Sequence, residues 1–298
     1  MSMKLGIIQW TEGTTGEELV KNVKRLEELG YEELWMPEVC GREPYATAGY
    51  LLAHTDRMRI SSGIANVFGH DADASAQAAN TLSEFSNGRF TLGLGVSHPV
   101  LIEPRGHTWV MPVPKMNAYL DRMKEAPVLS PTAARKAPVI IAGHGPGLMK
   151  VAARKADGLF LFLQTVETVK NARAVIGPDK QLPVVVRTVF DSNPDTARDY
   201  ARKACAWYMS QLPYQKIWSS LGYEESDWTN GGSDRLIDAI CAWGDADMIR
   251  EKLQPFADAG ATQVVIYPCN KDEDYDSDSP MSVNWSWETF EALAPSKT

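Results

Sequence analysis

The stretch FTLGLGVSH, Phe90 to His98, decides the reading of this chain. Phe90 to Leu94 is apolar on both faces apart from Thr91 and Gly93. Such a run suits a parallel strand that is covered on both sides. Gly95, Ser97 and His98 follow it directly. Small residues at that point let a flat ring approach the backbone, and a polar pair at the rim can work on the ring's edge. The plain alternative is that His98 caps a turn; its place just past an apolar strand favours a functional role.

Working outward, short β-branched or aromatic runs alternate with amphipathic stretches. Strands are expected at Lys4 to Gln9, Glu33 to Met36, Met58 to Ala65, Phe90 to Leu94, Val139 to Ala142, Leu159 to Leu163, Val184 to Phe190 and Thr262 to Tyr267. Helical sequence follows each. The first helix opens on a capping box, Thr15 with Glu18 three residues on, and Gly30 stands where a C-terminal cap belongs. Others are expected at Pro44 to His54, Asp73 to Phe85, Pro114 to Glu125, Gly147 to Lys155 and Val166 to Val175. Asn193-Pro194 opens a helical region that runs to about Leu221. Asp234 to Ala242, Ala246 to Asp258 and Trp285 to Leu293 complete the set.

Strict βα alternation implies a parallel sheet. Eight units favour a closed α/β (β/α)8 TIM barrel over an open doubly wound sheet. The 298 residues fit one domain, with residues 204–232 as a helical insertion or lid before the last strand. No internal repeat, linker or low-complexity tract divides it.

The formal net charge of -8 argues against a nucleic-acid partner. No apolar stretch is long enough to cross a bilayer. The start, MSMKLGIIQW, reads as a strand without a signal peptide. Four scattered cysteines, Cys40, Cys205, Cys241 and Cys269, form no CxxC pair. They read as reduced thiols of a cytoplasmic protein, with no zinc site.

In a barrel of this kind the loops after the strands build the site. The segment from Val139 to Lys155 carries Gly143, His144, Gly145 and Gly147 between a strand and a helix start. Free amides and the helix dipole there make an anion site, or else the loop is an ordinary glycine-rich turn. Glu38, just past the second strand, either bonds a ring or ribityl group or pairs with Arg42. His54 reads as a helix-end residue and His107 as a loop residue. His70, Asp71 and Asp73 hint at a metal, but no third ligand is suitably spaced, so helix capping is preferred. The acidic run Asp272 to Asp278 lacks the glycine and glutamate of a calcium loop, with Ser279 and Trp285 in their places. It reads as a solvated loop. Trp10, Phe68 and Trp109, with the aromatics from Trp207 to Trp228, suggest an aromatic-lined substrate pocket.

Four stretches carry a family resemblance: GYEELWMPE (Gly30 to Glu38), AQAANTLSEFSNGRFTLGLGVSHP (Ala76 to Pro99), VIIAGHGPGLMKVAARKADGLFLF (Val139 to Phe162) and AWGDADMIREKLQPFADAGATQVVIYP (Ala242 to Pro268). Together they resemble the luciferase-like monooxygenase superfamily, in its deazaflavin-dependent branch. The resemblance implies a barrel that holds coenzyme F420, or alternatively FMN, at its C-terminal face. It implies a non-proline cis peptide behind the ring at Ala65-Asn66, a phosphate loop at Gly143 to Gly147, and an acid–base residue at His98, whose usual pKa near 6.5 suits either role. It further implies a homodimer or higher homo-oligomer. Val39 stands where sugar-phosphate dehydrogenases of that branch carry His, and Glu38 where they carry Asp, which argues against that substrate. The expected function is hydride transfer between F420 and a small organic substrate. The alternatives are an FMN-dependent monooxygenase and a non-catalytic cofactor-binding barrel.

Overall fold

The computed structural model describes residues 3–271, 273, 275 and 281–295. The aspartates of the acidic run, Asp272, Asp274, Asp276 and Asp278, lie outside the described residues.

The strands are β1 (Leu5–Ile8), β2 (Glu33–Met36), β3 (Arg59–Ser62), β4 (Ala65–Asn66), β5 (Phe90–Gly95), β6 (Val139–Ala142), β7 (Gly158–Phe162), β8 (Pro183–Phe190), β9 (Cys241–Gly244) and β10 (Gln263–Pro268). All pair in parallel, in the order β10-β1-β2-β3-β5-β6-β7-β8, and β8 pairs back onto β10. The sheet is therefore closed. The chain is an eight-stranded α/β TIM barrel, as its alternation implies.

Two strands depart from the expected set. The third breaks into β3 and β4 around a cis peptide bond at Gly63-Ile64, and both parts pair with β5. β9 begins at Cys241 and Ala242, residues read as the end of a helix. That helix stops at Ile240, and Cys241 to Gly244 pair with Arg187 to Phe190. The reason is an open edge: β7 pairs with β8 at Val184 and Val185, which leaves the far half of β8 free to accept another strand. The helical region after Asn193 also divides, into Pro194–Met209 and Leu212–Ser220. Pro213 sits in the first turn of the second, where its missing N–H costs nothing.

Helix starts follow the capping chemistry. Thr15 and Glu18 form the complete capping box, and the Asn193 side chain accepts the amides of Asp195 and Thr196. Asp71 caps the helix Ala72–Phe85 by accepting the Ala74 amide, while Asp73 pairs with Arg122. The metal reading of that segment thus yields to the capping one. His54 ends its helix, with Nδ1 against the Tyr50 carbonyl at 2.7 Å.

Side chains fill the barrel interior. Ile8, Trp35, Ile140, Phe160, Val185 and Val265 form one buried cluster, with the Trp35 and Phe160 rings 4.8 Å apart. At the lower end the polar groups are satisfied: Trp35 Nε1 donates to Gln263 Oε1, and Gln263 Nε2 to Glu33 Oε2. A larger cluster lies between strands and outer helices, and a third under the helices Pro194–Met209 and Leu212–Ser220. No helix among the described residues is long and apolar enough to cross a membrane.

β3 and β5 approach unusually closely. Ser62 Oγ donates to the Gly93 carbonyl at 2.8 Å and accepts the Gly93 amide at 2.9 Å. A Cβ on Gly93 would stand 2.0 Å from the Ser62 carbonyl oxygen. Gly93 therefore serves the seam of the sheet. Gly93→Ala is expected to destabilise the fold by about 2 kcal/mol or more through overpacking against rigid backbone. Urea denaturation checks this; a wild-type midpoint would contradict it.

Candidate functional site

A cavity of about 590 Å³ opens at the C-terminal mouth of the barrel. Loops from most of the barrel strands meet there because closure brings the strand ends into one ring. Of the expected site residues, Trp10, Glu38, Gly95, Ser97, His98, Trp109, Gly143, His144, Gly145 and Gly147 all line it.

Three do not. Ala65 and Asn66 are buried in β4, and the cis bond lies two residues earlier, so Gly63 and Ile64 line the cavity in their place. The local packing explains the shift: Gly63 sits where a Cβ would be 2.9 Å from Trp35 Cβ, and Gly95 where a Cβ would be 2.2 Å from Ile64 Cδ1. Phe68 lies in a separate groove and stacks on Trp109 with centroids 6.0 Å apart. It supports the cavity wall from behind.

Glu38 does not pair with Arg42. Arg42 donates to the carbonyls of Thr11 and Thr14. The nearly buried Glu38 carboxylate instead accepts the Asn66 amide at 2.7 Å and faces His70 Nε2 at 3.3 Å and Arg105 Nη1 at 3.9 Å. The Glu38 carboxylate holds the His70 pKa above its ordinary value, against partial burial. One carboxylate thus ties β4 to two loops at the cavity's edge.

His98 follows Ser97, whose φ of 59° turns the chain out of β5. The His98 ring meets Trp207 edge-on at 5.1 Å and lies parallel to Tyr214 at 6.3 Å. The His144 ring is 4.8 Å from the same Tyr214, and its Nδ1 is buried with no partner among the described residues. Burial lowers the His98 pKa to about 4. Burial, with a smaller contribution from His98, lowers that of His144 to about 3. Both imidazoles are neutral at physiological pH. A value near 6.5 for His98 is corrected by its apolar surroundings.

The loop after β6 runs into the helix Pro146–Lys155. No side chain caps this helix. Pro146 holds its first position and the first intrahelical bond runs from the Met149 amide to the Gly145 carbonyl, so the Gly147 and Leu148 amides belong to the unsatisfied first turn. The loop lacks space for side chains: a Cβ on Gly143 would stand 2.4 Å from Leu148 Cβ, and one on Gly147 2.7 Å from Val113 Cγ2. Gly145 is open, with its nearest neighbour at 3.9 Å.

An aromatic wall next to this loop combines Trp207, Tyr208, Tyr214 and Ile217 from the two helices after Asn193 with Tyr267 from β10. Trp10 Nε1 donates to the Tyr267 hydroxyl at 2.6 Å. Behind Tyr267 lies the fully buried Arg187, its guanidinium 3.4 Å from the ring centroid. Sequence reasoning missed Arg187, because an Arg inside an apolar strand signals only that something must justify its burial. It missed Ile64 because an isoleucine at a strand end looks like core.

An eight-stranded parallel barrel with a largely apolar cavity at its C-terminal mouth defines the class, an α/β-barrel enzyme. Residues 3–263 match the luciferase-like monooxygenase family, and the chain belongs to it. Among curated relatives it is similar to a 5,10-methylenetetrahydromethanopterin reductase of Archaeoglobus fulgidus, 24% identical over 88% of this chain and 92% of that protein. Among solved structures it resembles the coenzyme F420-dependent tetrahydromethanopterin reductase of Methanopyrus kandleri, with TM-score 0.75, 16% identity, and 99% and 98% of the two chains covered. It also resembles an F420-dependent secondary alcohol dehydrogenase in complex with an F420–acetone adduct, with TM-score 0.74, 16% identity, and 93% and 97% covered.

The two imidazoles predict a pH dependence. In the unfolded chain each titrates near 6.5, in the folded one near 4 and 3. Between these values the unfolded state binds more protons, so stability rises with pH and is lost as pH falls from 6.5 toward 4. A His98→Gln, His144→Gln double variant should lose less stability than wild type between pH 7 and pH 4.5, by on the order of 2 kcal/mol after allowing for partial exposure. Denaturant midpoints at the two pH values measure it; equal losses would contradict the burial argument.

Proposed function

We propose that this enzyme transfers hydride between coenzyme F420 and a small, largely apolar organic substrate. The observation that carries the reading is an uncapped helix start opening into the same cavity as two neutral, half-buried imidazoles. The chain's residues fit the cofactor: Gly145 leaves open space at the uncapped helix start, and the Gly147 and Leu148 amides can donate to an anion there. The deazaflavin, when bound, supplies a two-electron hydride carrier.

The protein's contribution is orientation, dryness and one proton. The Gly143–Gly147 loop binds the phosphate through backbone amides and the helix dipole. Gly63 and Ile64, which line the cavity, would back the ring in the role the resemblance assigns to Ala65 and Asn66. His98 works from its neutral form. It accepts the hydroxyl proton of an alcohol and, as imidazolium, returns it to the oxygen in the reverse direction. Trp207, Tyr208 and Tyr214 act as a lid wall that excludes water and strengthens each polar contact inside. Trp10 and Trp109 bound the substrate space.

An FMN-dependent monooxygenase is the second reading, and membership of a family named for monooxygenases favours it. The same loop would hold the FMN phosphate. A non-catalytic carrier does not account for His98 at the cavity wall.

Titration with each cofactor tests the choice: F420 should bind at least about tenfold more tightly than FMN, a difference of about 1.4 kcal/mol. Tighter FMN binding would transfer the assignment to the monooxygenase reading. Gly145→Asp should place a capping carboxylate on the helix amides, leave thermal stability unimpaired and weaken F420 binding by about tenfold or more. Unchanged affinity would remove the phosphate from this loop. His98→Ala should cut turnover of small alcohols or ketones by about 100-fold or more while sparing F420 affinity.

A further inference from the structure

Cys205 and Cys241 meet beneath the cavity wall. Their sulfurs are 3.7 Å apart, and both residues are buried. Cys205 lies on the helix Pro194–Met209, just before Trp207 and Tyr208, and Cys241 opens β9. The contact therefore joins the wall helix to the strand behind it.

Arg187 lies beside this pair. It donates to the carbonyls of Ala204 at 3.0 Å and Pro268 at 3.4 Å and stacks on Tyr267, contacts that supply no full countercharge. A guanidinium stays charged when buried, so it favours a nearby anion. The hydrogen bond with Cys241 and the Arg187 charge hold the Cys205 thiol below its ordinary pKa, against its burial. Cys241 is pushed the other way, by Cys205 first and by burial. Two thiols in contact beside a buried positive charge are the arrangement that a reacting thiol and a resolving thiol require.

We propose that Cys205 and Cys241 form a reversible dithiol–disulfide site, oxidised by a small hydroperoxide and reduced by a small thiol. The Cys205 thiolate attacks one peroxide oxygen. An S–O bond forms, the O–O bond breaks, and the departing hydroxide or alkoxide takes a proton to leave as water or an alcohol. The Cys241 sulfur then attacks Cys205. The S–S bond forms, the S–O bond breaks, and the Cys241 proton leaves with the oxygen as water. Two electrons pass from the sulfurs to the peroxide. The bond, about 2.05 Å long, replaces the 3.7 Å contact and draws the wall helix and β9 together.

The test uses the full-length chain carrying Cys40→Ser, which removes the exposed thiol and leaves three of the four cysteines. The folded protein is treated with hydrogen peroxide or, in parallel, diamide, then alkylated in denaturant. Free thiols should fall from three to one. Peptide mass spectrometry should find a single cross-link, Cys205 to Cys241, which dithiothreitol removes. Adding Cys205→Ser should abolish the cross-link. Three unchanged thiols with both oxidants would overturn the proposal. So would a link to Cys269, or a sulfinic acid at Cys205 without a link.

Discussion

The pairing of β10 with both β1 and β8 is the interaction on which the rest depends. It turns an open parallel sheet into a closed one. Once closed, the strand ends lie on a single ring, and residues as distant in sequence as Trp10, His98, Gly145 and Tyr267 share a cavity. Closure also leaves no pore. Trp35 and Phe160 fill the interior, so the space for a ligand lies above the packed layers at the mouth.

Much of this was legible, for definite reasons. Parallel strands buried on both faces are written as apolar runs, so all eight barrel strands stood out. The caps at Thr15, Asp71 and Asn193 were readable because their geometry is local. Positions directly after strands were readable for the same reason, and ten of the candidate residues line one cavity. What failed was non-local. β9 exists because β8 outruns β7, and nothing within Cys241 to Gly244 records the length of another strand. The bond at Gly63-Ile64 was misplaced by two residues because the loop's register is decided by contact with Trp35 across the sheet. Glu38 was expected to face a ring or Arg42; its partners are the Asn66 amide in β4 and the side chains of His70 and Arg105. The pKa of His98 depends on Trp207 and Tyr214, about 110 residues away along the chain.

The site sets two kinds of electrostatics side by side. The first turn of Pro146–Lys155 offers unsatisfied amides, a fixed partial positive charge. Aromatic rings pack against two imidazoles that desolvation keeps uncharged, one of them His144 in the loop that leads into that turn. The wall that shields the rings is anchored from beneath by Arg187, which reaches the carbonyls of Ala204 on the wall helix and Pro268 on β10. A buried guanidinium is expensive to desolvate; here it links β8, β10 and the wall through one side chain.

A crystal structure of the protein with oxidised coenzyme F420 is the most direct test. The account predicts the phosphate within hydrogen-bond distance of the Gly147 and Leu148 amides, with the ring between Ile64 and His98. A phosphate bound elsewhere, or a ring out of reach of His98, would contradict it.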